Sequence, residues 1–256
     1  MALKSKANTG KTFERKLVEE GNEVARLYMM VYLGQTYNKH FNETKDVLKC
    51  FFEFPETTDE FDGVTKPLVM NYDMSLSSNE KSRATKYVKV CNLDEEDVRD
   101  SGDGEIIFDN LLGSLAMASV VHKEDKKGET RANIAGFSKA RSKDLRDIPE
   151  VFEDNYYRLI DLTSDDTTKE DLEGVYTWVL KMALADSEDL ANPLMVEEVI
   201  EEREDEIKAK KQIKDAKKDE EDERESKSAK KPSSKSTKKP SKPKVEEEDE
   251  DDDWED

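Results

Sequence analysis

The segment Asp46–Phe54, DVLKCFFEF, alternates between an apolar set of side chains and a mixed set. The side chains of the apolar set are Leu48, Cys50, Phe52 and Phe54. Lys49 and Phe51 fall on the opposite face of an extended strand. Pro55 ends the run, because proline cannot donate a ladder hydrogen bond. This period of two predicts a β-strand with one buried face.

The segments on either side repeat the same period. Val24–Leu33 (VARLYMMVYL) and Pro67–Leu76 (PLVMNYDMSL) are both predicted to be strands. The faces of the earlier strand are Leu27, Met29, Val31 and Leu33 and, opposite them, Arg26, Tyr28, Met30 and Tyr32. The apolar face of the later strand is Leu68, Met70, Tyr72, Met74 and Leu76. Three consecutive strands therefore open the fold.

The pattern changes after residue 77. Ser78–Val90 begins with good helix-capping residues and contains no Pro or Gly, so it predicts a helix, and the polar Asn92–Gly104 predicts a loop. Asn110–His122 and Thr130–Phe137 are apolar runs that predict two strands joined by the polar turn Lys123–Gly128. Five strands with one helix between the third and fourth predict a mainly β chain with an OB-fold-like barrel.

The distribution of charge separates a folding region from a tail. The 256 residues carry 42 Lys and Arg against 62 Asp and Glu, and residues 197–256 alone hold 16 basic and 24 acidic side chains. Lys169–Leu184 has apolar residues at helical spacing, which predicts an additional C-terminal helix before the tail. The predicted organisation is a flexible basic arm over 1–20, an OB-fold domain over 21–165, an amphipathic helical extension over 166–196, a charged helix or disorder over 197–225, a basic Pro/Ser/Lys linker over 226–245 and a disordered acidic tail over 246–256.

Aromatic rings and basic side chains share the polar faces of the predicted strands and the loops beside them. This combination is typical of single-stranded nucleic-acid binding, because bases stack on the rings while Lys and Arg neutralise phosphates. The candidate DNA-binding residues are Arg26, Tyr28, Tyr32, Tyr37, Lys39, Phe41, Lys49, Phe51, Arg131, Lys139 and Arg141. An alternative interpretation is that these rings pack beneath the helix 169–184 or beneath the N-terminal arm.

The sequence offers little support for catalysis or for a bound cofactor. Gly10-Lys11-Thr12 lacks the first glycine and the preceding strand of a phosphate-binding loop. His40, His122, Cys50 and Cys91 are not spaced as zinc ligands, and Cys50 falls on an apolar strand face that favours a buried, inert thiol. We therefore expect no enzymatic activity, no cofactor and no metal. No apolar run approaches the ~18 residues of a membrane span, and we expect a soluble protein without a membrane partner.

The last eleven residues, 246–256, carry ten acidic side chains around Trp254. They follow a linker with eight lysines over 226–244. An acidic tip on a flexible linker imitates nucleic acid, so it is expected either to compete for a basic groove or to dock on a partner. The candidate partner-binding residues are Asp253, Trp254, Glu255 and Asp256.

The succession LGQTYNKHF, FFEFPE, KPLVMNYDMSLS, SNEKSRATKYV and FDNLLGSLAMASVVH resembles the replisomal single-stranded DNA-binding proteins of tailed bacteriophages. The resemblance covers Val24–Asp161. It implies an OB-fold domain followed by an acidic tail, coating of single strands during replication and recombination in the cytoplasm of the infected bacterium, and contacts with polymerase or helicase through the tail. Two rival hypotheses are a phage structural or scaffolding protein that uses the charged region for assembly, and a chaperone-like acidic protein that binds basic partners.

Overall fold

The computed structural model describes residues 16–38, 42–61, 63–149 and 157–228. The predicted arm up to residue 15, the linker after residue 228 and the acidic tail lie outside the described residues. The chain divides into two compact units, residues 1–205 and 206–256. The first unit holds the sheet and both apolar cores, and the described part of the second is the end of one long helix.

The strands form a curled antiparallel half-barrel, as the mainly β prediction required. They are β1 (Gly21–Asn38), β2 (Glu43–Phe61), β3 (Val64–Met74), β4 (Leu115–Glu124), β5 (Thr130–Ser138) and β6 (Arg158–Asp161). The five long strands are ordered β3-β2-β1-β4-β5, and the short β6 adds to β1 in parallel. Rings of β3 and β5 meet across the open side, where the centroids of Tyr72 and Phe137 are 5.2 Å apart.

A β-bulge interrupts β1 at Tyr28. Leu27 pairs with Phe52 and Met29 pairs with Phe51, so Tyr28 is the extra residue. The predicted alternation therefore fails at Tyr28: Met29, Val31 and Leu33 still alternate with Met30 and Tyr32, but on the side of the sheet opposite Leu27. Met29 lies on the same side of the sheet as Tyr28, whereas Tyr32 packs on the opposite side. In β2 no bulge falls between Leu48 and Phe54, and the predicted faces of that strand are confirmed. The prediction that Pro55 ends the strand is wrong, because the ladder with β3 resumes at Thr58 after an irregularity that accommodates the proline.

The helices predicted over Ser78–Val90 and Lys169–Leu184 are shorter or more broken than expected, whereas the charged segment predicted as helix or disorder over 197–225 belongs to one longer helix. The helices are α1 (Arg83–Val88), α2 (Glu95–Val98), α3 (Lys169–Leu172), α4 (Thr177–Asp186) and α5 (Pro193–Ser228), with a 3₁₀ turn at Phe108–Leu111. The helix predicted over Ser78–Val90 begins only after Ser82, whose hydroxyl accepts a hydrogen bond from the Thr85 amide at 3.0 Å. The helix predicted over Lys169–Leu184 is divided in two. Gly174 lies in the break, where a Cβ would come within 3.1 Å of the Arg158 guanidinium.

Two further differences concern the second half of the half-barrel. The loop predicted over Asn92–Gly104 contains α2, and the strand predicted to begin at Asn110 begins instead at Leu115. Gly113 has a positive φ of 81°, and its amide donates to the Leu27 carbonyl at 2.7 Å. That left-handed turn, which glycine adopts readily, ends the 3₁₀ turn and directs the chain into β4.

Apolar side chains are buried on both sides of the sheet. The inner core lies inside the half-barrel, and its largest side chains include Leu27, Met30, Leu48, Phe52, Phe54 and Tyr87. The outer core lies between the other side of the sheet and the C-terminal elements, and it includes Tyr28, Met29, Val31, Leu33, Phe51, Ile160, Leu172, Val179, Leu180 and Val199. None of the described helices has the length and apolar character that crossing a membrane requires.

Candidate nucleic-acid interface

Four of the predicted binding residues lie on the outer side of β1 and β2, and all four are buried. They are Arg26, Tyr28, Lys49 and Phe51. The expectation that this face is open to solvent is wrong. The physical reason is that β6 and α3–α5 pack across this side of the sheet. These elements are distant in the sequence, so the strand pattern alone does not show that the face is covered.

The two buried rings contact α4 and its N-terminal flank. The Tyr28 and Tyr176 hydroxyls are 3.0 Å apart, and the ring centroids of Phe51 and Tyr176 are 4.9 Å apart. Burial raises the pKa of both tyrosine hydroxyls, so they remain neutral hydrogen-bonding groups. The alternative interpretation, packing beneath the helix 169–184, is confirmed for Tyr28 and Phe51.

Arg26 is engaged inside the fold. Its guanidinium donates to Glu53 Oε1 at 2.7 Å and to the Pro149 carbonyl at 2.5 Å. Both side chains of the ion pair are buried, and breaking such a pair leaves an uncompensated charge. Arg26 therefore holds the segment around Pro149 against the sheet instead of facing a phosphate.

Lys49 lies under an exposed indole. Its ammonium donates to both carboxylate oxygens of Asp73 at 2.8 Å and lies 5.6 Å from the ring centroid of Trp178. Trp178 is 45% exposed and Tyr176 is 37% exposed, although both rings contact the buried Phe51. These two rings thus present aromatic surface to solvent above β2.

A second ring–cation pair lies at β3. The Arg83 guanidinium donates to the Asp73 carbonyl at 3.0 Å and lies 4.9 Å from the ring centroid of Tyr72. Tyr72 packs against the inner core, so its ring lies on the side of the sheet opposite Tyr176 and Trp178. We call the outer set the aromatic track; its members are Lys49, Tyr176 and Trp178.

Sequence reasoning missed Tyr176 and Trp178 as binding candidates. Tyr176 falls at an apolar position of the helix predicted over Lys169–Leu184, and in the structure it contacts Tyr28 and Phe51. The available signal was Trp178, which is an aromatic residue outside the apolar stripe of an amphipathic segment.

The other predicted residues lie elsewhere. Tyr32 is half-buried and donates to Asp46 at 2.7 Å, and the exposed Tyr37 donates to Asn42 at 2.6 Å. Lys39 and Phe41, with Asp253, Trp254, Glu255 and Asp256, lie outside the described residues. The structure therefore does not bring Tyr32 or Tyr37 into the aromatic track.

Three basic candidates are exposed on β5 and the segment after it. Arg131 pairs with Asp125 at 2.8 Å, Arg141 pairs with Asp144 at 2.7 Å, and Lys139 is exposed between them in sequence. The hydrogen bond from Arg141 lowers the pKa of Asp144. These residues form a second basic region at the opposite end of the strand order from β3.

The thiols lie within the inner core. Cys50 and Cys91 are both buried, and burial raises the pKa of each, which keeps them protonated and unreactive. No cluster of three His, Cys, Asp or Glu side chains with the arrangement of a metal site occurs in the described ranges.

No protein-family model matches the chain, and no curated protein sequence matches it.

Proposed function

We propose that the protein binds single-stranded DNA without sequence preference and without catalysis, through the aromatic track on the outer side of β2. The observation that carries the proposal is the pair of exposed rings, Tyr176 and Trp178, placed above Phe51 and beside Lys49. Each ring that stacks on a base contributes about 1–3 kcal/mol.

The architecture of the sheet supports the same assignment. Five antiparallel strands in the order β3-β2-β1-β4-β5, with α1 between β3 and β4, resemble an OB-fold that is open between β3 and β5. OB-folds bind oligonucleotides across the face of their second and third strands. Lys49 of the aromatic track lies on the second strand, and Tyr176 and Trp178 lie on the helical cover above it.

The charge of the track favours stacking over phosphate contact. Lys49 is its cation, and it is buried and paired with Asp73 at 2.8 Å, so it does not reach a phosphate. If the exposed Arg83 beside β3 neutralises one phosphate, the logarithm of the binding constant falls with the logarithm of salt concentration with a slope of about −0.7. Duplex DNA hides its base faces, so single strands are preferred.

The biological role follows from the resemblance described above. We propose that the protein coats and protects single strands during phage replication and recombination in the bacterial cytoplasm. The acidic tail would either recruit a replicative polymerase or helicase or limit access to the track. The alternative, a phage scaffolding protein, predicts no oligonucleotide binding at low salt.

Trp178→Ala tests the track directly. Fluorescence anisotropy with a labelled oligonucleotide should show affinity reduced about 5- to 150-fold, which corresponds to the loss of one stacked base. Tyr157→Ala is the matched control, because Tyr157 is also 45% exposed but packs against Gly113, away from the track. Its affinity should equal that of the wild type.

Intrinsic fluorescence provides a second readout. The chain contains two tryptophans, so Trp254→Phe leaves Trp178 as the only one. Stacking of a base should quench its emission as single strands are added. Normal thermal melting of Trp178→Ala together with wild-type affinity would refute the track, and an absence of wild-type binding at low salt would refute the function.

A further inference from the structure

Two short segments concentrate positive charge in a chain whose net charge is −20. Residues 81–89 hold four Lys or Arg and no acid, and residues 139–146 hold four Lys or Arg and one Asp. That Asp is already paired, because Arg141 donates to Asp144 at 2.7 Å. Eight cations less one carboxylate leave a net charge of +7 on the two segments.

Helix α1 turns the cations of the first segment toward solvent. Its buried side chains, which face the inner core, are Ala84, Thr85, Tyr87 and Val88. Arg83, Lys86 and Lys89 recur every three residues and are exposed. Because residues three apart are neighbours on a helix surface, these cations share the side of α1 opposite the core.

The two basic segments lie side by side. The Tyr87 ring of α1 packs on Phe137 of β5, with 4.9 Å between the centroids, and β5 ends one residue later. The chain after α1 is bound to the start of β4, because Asn92 and Leu115 exchange two hydrogen bonds of 2.7 and 2.9 Å. Leu115 and Leu145 line the same groove, which brings residues 139–146 to this end of the sheet.

Six of the eight cations form no ion pair with a carboxylate of the described ranges, and all six are exposed. We call them the basic face; its members are Lys81, Lys86, Lys89, Lys139, Lys143 and Arg146. The acids of α2 follow in the chain and limit the face on that side, where Glu95 pairs with Arg99. Tyr87 is the one aromatic residue of the two segments, and it is buried. The face therefore offers charge without a ring on which a base could stack.

We infer that the basic face binds the phosphate backbone of duplex DNA. This inference goes beyond single-strand binding by the aromatic track and does not depend on it. Cations without accessible rings fit a ligand whose bases are hidden inside a helix, and contacts to phosphates carry no sequence information. Each neutralised phosphate also releases more counterions from a duplex, with a salt slope of about −0.9 against about −0.7 for a single strand.

The basic face and the aromatic track should respond differently to salt. If all six cations reach phosphates, the salt slope for duplex binding is about −5.4, whereas the single phosphate contact beside the track gives about −0.7. Low salt therefore permits duplex binding. Rising salt removes it and leaves the preference of the track for single strands.

Fluorescence anisotropy of the full chain with a labelled duplex across a salt series tests the inference. Lys86→Gln with Lys139→Gln removes one cation from each segment, so it should weaken duplex binding at low salt and reduce the salt slope by about 1.8. Lys126→Gln with Lys127→Gln is the matched control, because these exposed lysines lie in the turn at the other end of the β4–β5 hairpin. Its affinity and slope should equal those of the wild type.

Further variants separate folding from binding. Thermal melting checks that each variant is folded, and Lys89→Gln with Lys143→Gln repeats the test at two other exposed positions of the basic face. Trp178→Ala should bind the duplex as the wild type does, so failure of the track and failure of the basic face are distinguishable results.

Four results would overturn the inference. The first is a wild-type chain that does not bind the duplex at low salt, and the second is a control pair that loses as much slope as the face variants. The third is an equal loss of single-strand affinity in the face variants, which would assign the face to single strands. The fourth is binding of poly-glutamate without binding of the duplex, which would assign the face to an acidic protein.

Discussion

The inner and outer cores use alternate residues of β1 and β2 but are closed by different parts of the chain. The inner core is enclosed by the curl of the sheet and by α1, and the rings of Phe52, Tyr87 and Phe137 lie within 4.6–5.3 Å of one another. The outer core is closed by β6 and α3–α5. On the outer side of the same strands lie the buried charges of Arg26, Lys49 and Glu53.

The difference shows that alternation along a strand indicates two distinct faces but does not tell which of them is exposed to solvent. On β2, Lys49 and Phe51 have the pattern of an exposed face, yet both are buried beneath Tyr176 and Trp178. The surface offered to solvent there belongs to the helical cover. The proposed binding face therefore lies on the helical elements that pack on the sheet and not on the sheet itself.

Neighbouring phenylalanines allow a direct comparison of the cores. Phe52→Ala should lower the free energy of unfolding by about 4–5 kcal/mol and Phe51→Ala by about 3 kcal/mol. The rings around Phe52 are buried, whereas Tyr176 and Trp178 beside Phe51 are partly exposed and are free to close over the space. Urea denaturation measures both values. A larger loss for Phe51→Ala would show that the outer core is the more tightly packed.

Leu180→Ala asks whether the outer core unfolds together with the sheet. Leu180 is fully buried in α4, so the substitution should cost about 2–5 kcal/mol and shift one cooperative transition. Cooperativity is expected because β6 pairs with β1, and because Arg203 donates to the carbonyls of Leu172 and Val175.

Two probes make that test decisive. Trp178 fluorescence in a Trp254→Phe background follows α4, and far-UV circular dichroism follows the whole fold. Leu184→Ala is the matched control on the same helix, because Leu184 is partly exposed and its loss should cost much less. A fluorescence transition that precedes the dichroism transition would show that the helical cover melts independently.

The smallest effect concerns Glu23 near the start of β1, outside both cores. Burial, together with the carboxylates of Glu56 and Glu19, raises the pKa of Glu23 above its usual 4.5. The folded state therefore binds this proton more tightly than the unfolded state. The contribution of Glu23 to stability falls as pH rises from its pKa in the unfolded state to its pKa in the folded state. Glu23→Gln should slightly raise the thermal midpoint at pH 7 and leave it unchanged below pH 4. Equal midpoints at pH 7 would contradict the raised pKa.

The elements that follow from local pattern were predicted well. The faces of β2 and the β4–β5 hairpin need only a period of two and a polar turn. The bulge at Tyr28 leaves no mark in the apolar run VARLYMMVYL, and β6 is four residues that gain their ladder only from β1. Burial of the predicted site depended on helices more than 100 residues away, which strand periodicity does not encode.

The parallel pairing of β6 with β1 has a consequence for the nascent chain. Residues Met29–Tyr32 of β1 pair with β2 on one side and gain a strand on their other side only after Arg158–Asp161 have been synthesised. Residues 33–157 must be synthesised first, which takes roughly 6–25 s at cellular rates. Throughout that interval the growing polypeptide carries an apolar strand edge without its native partner, the type of edge on which misassembly begins. The ribosome-bound chain, more than the finished protein, is therefore the state that needs protection from aggregation.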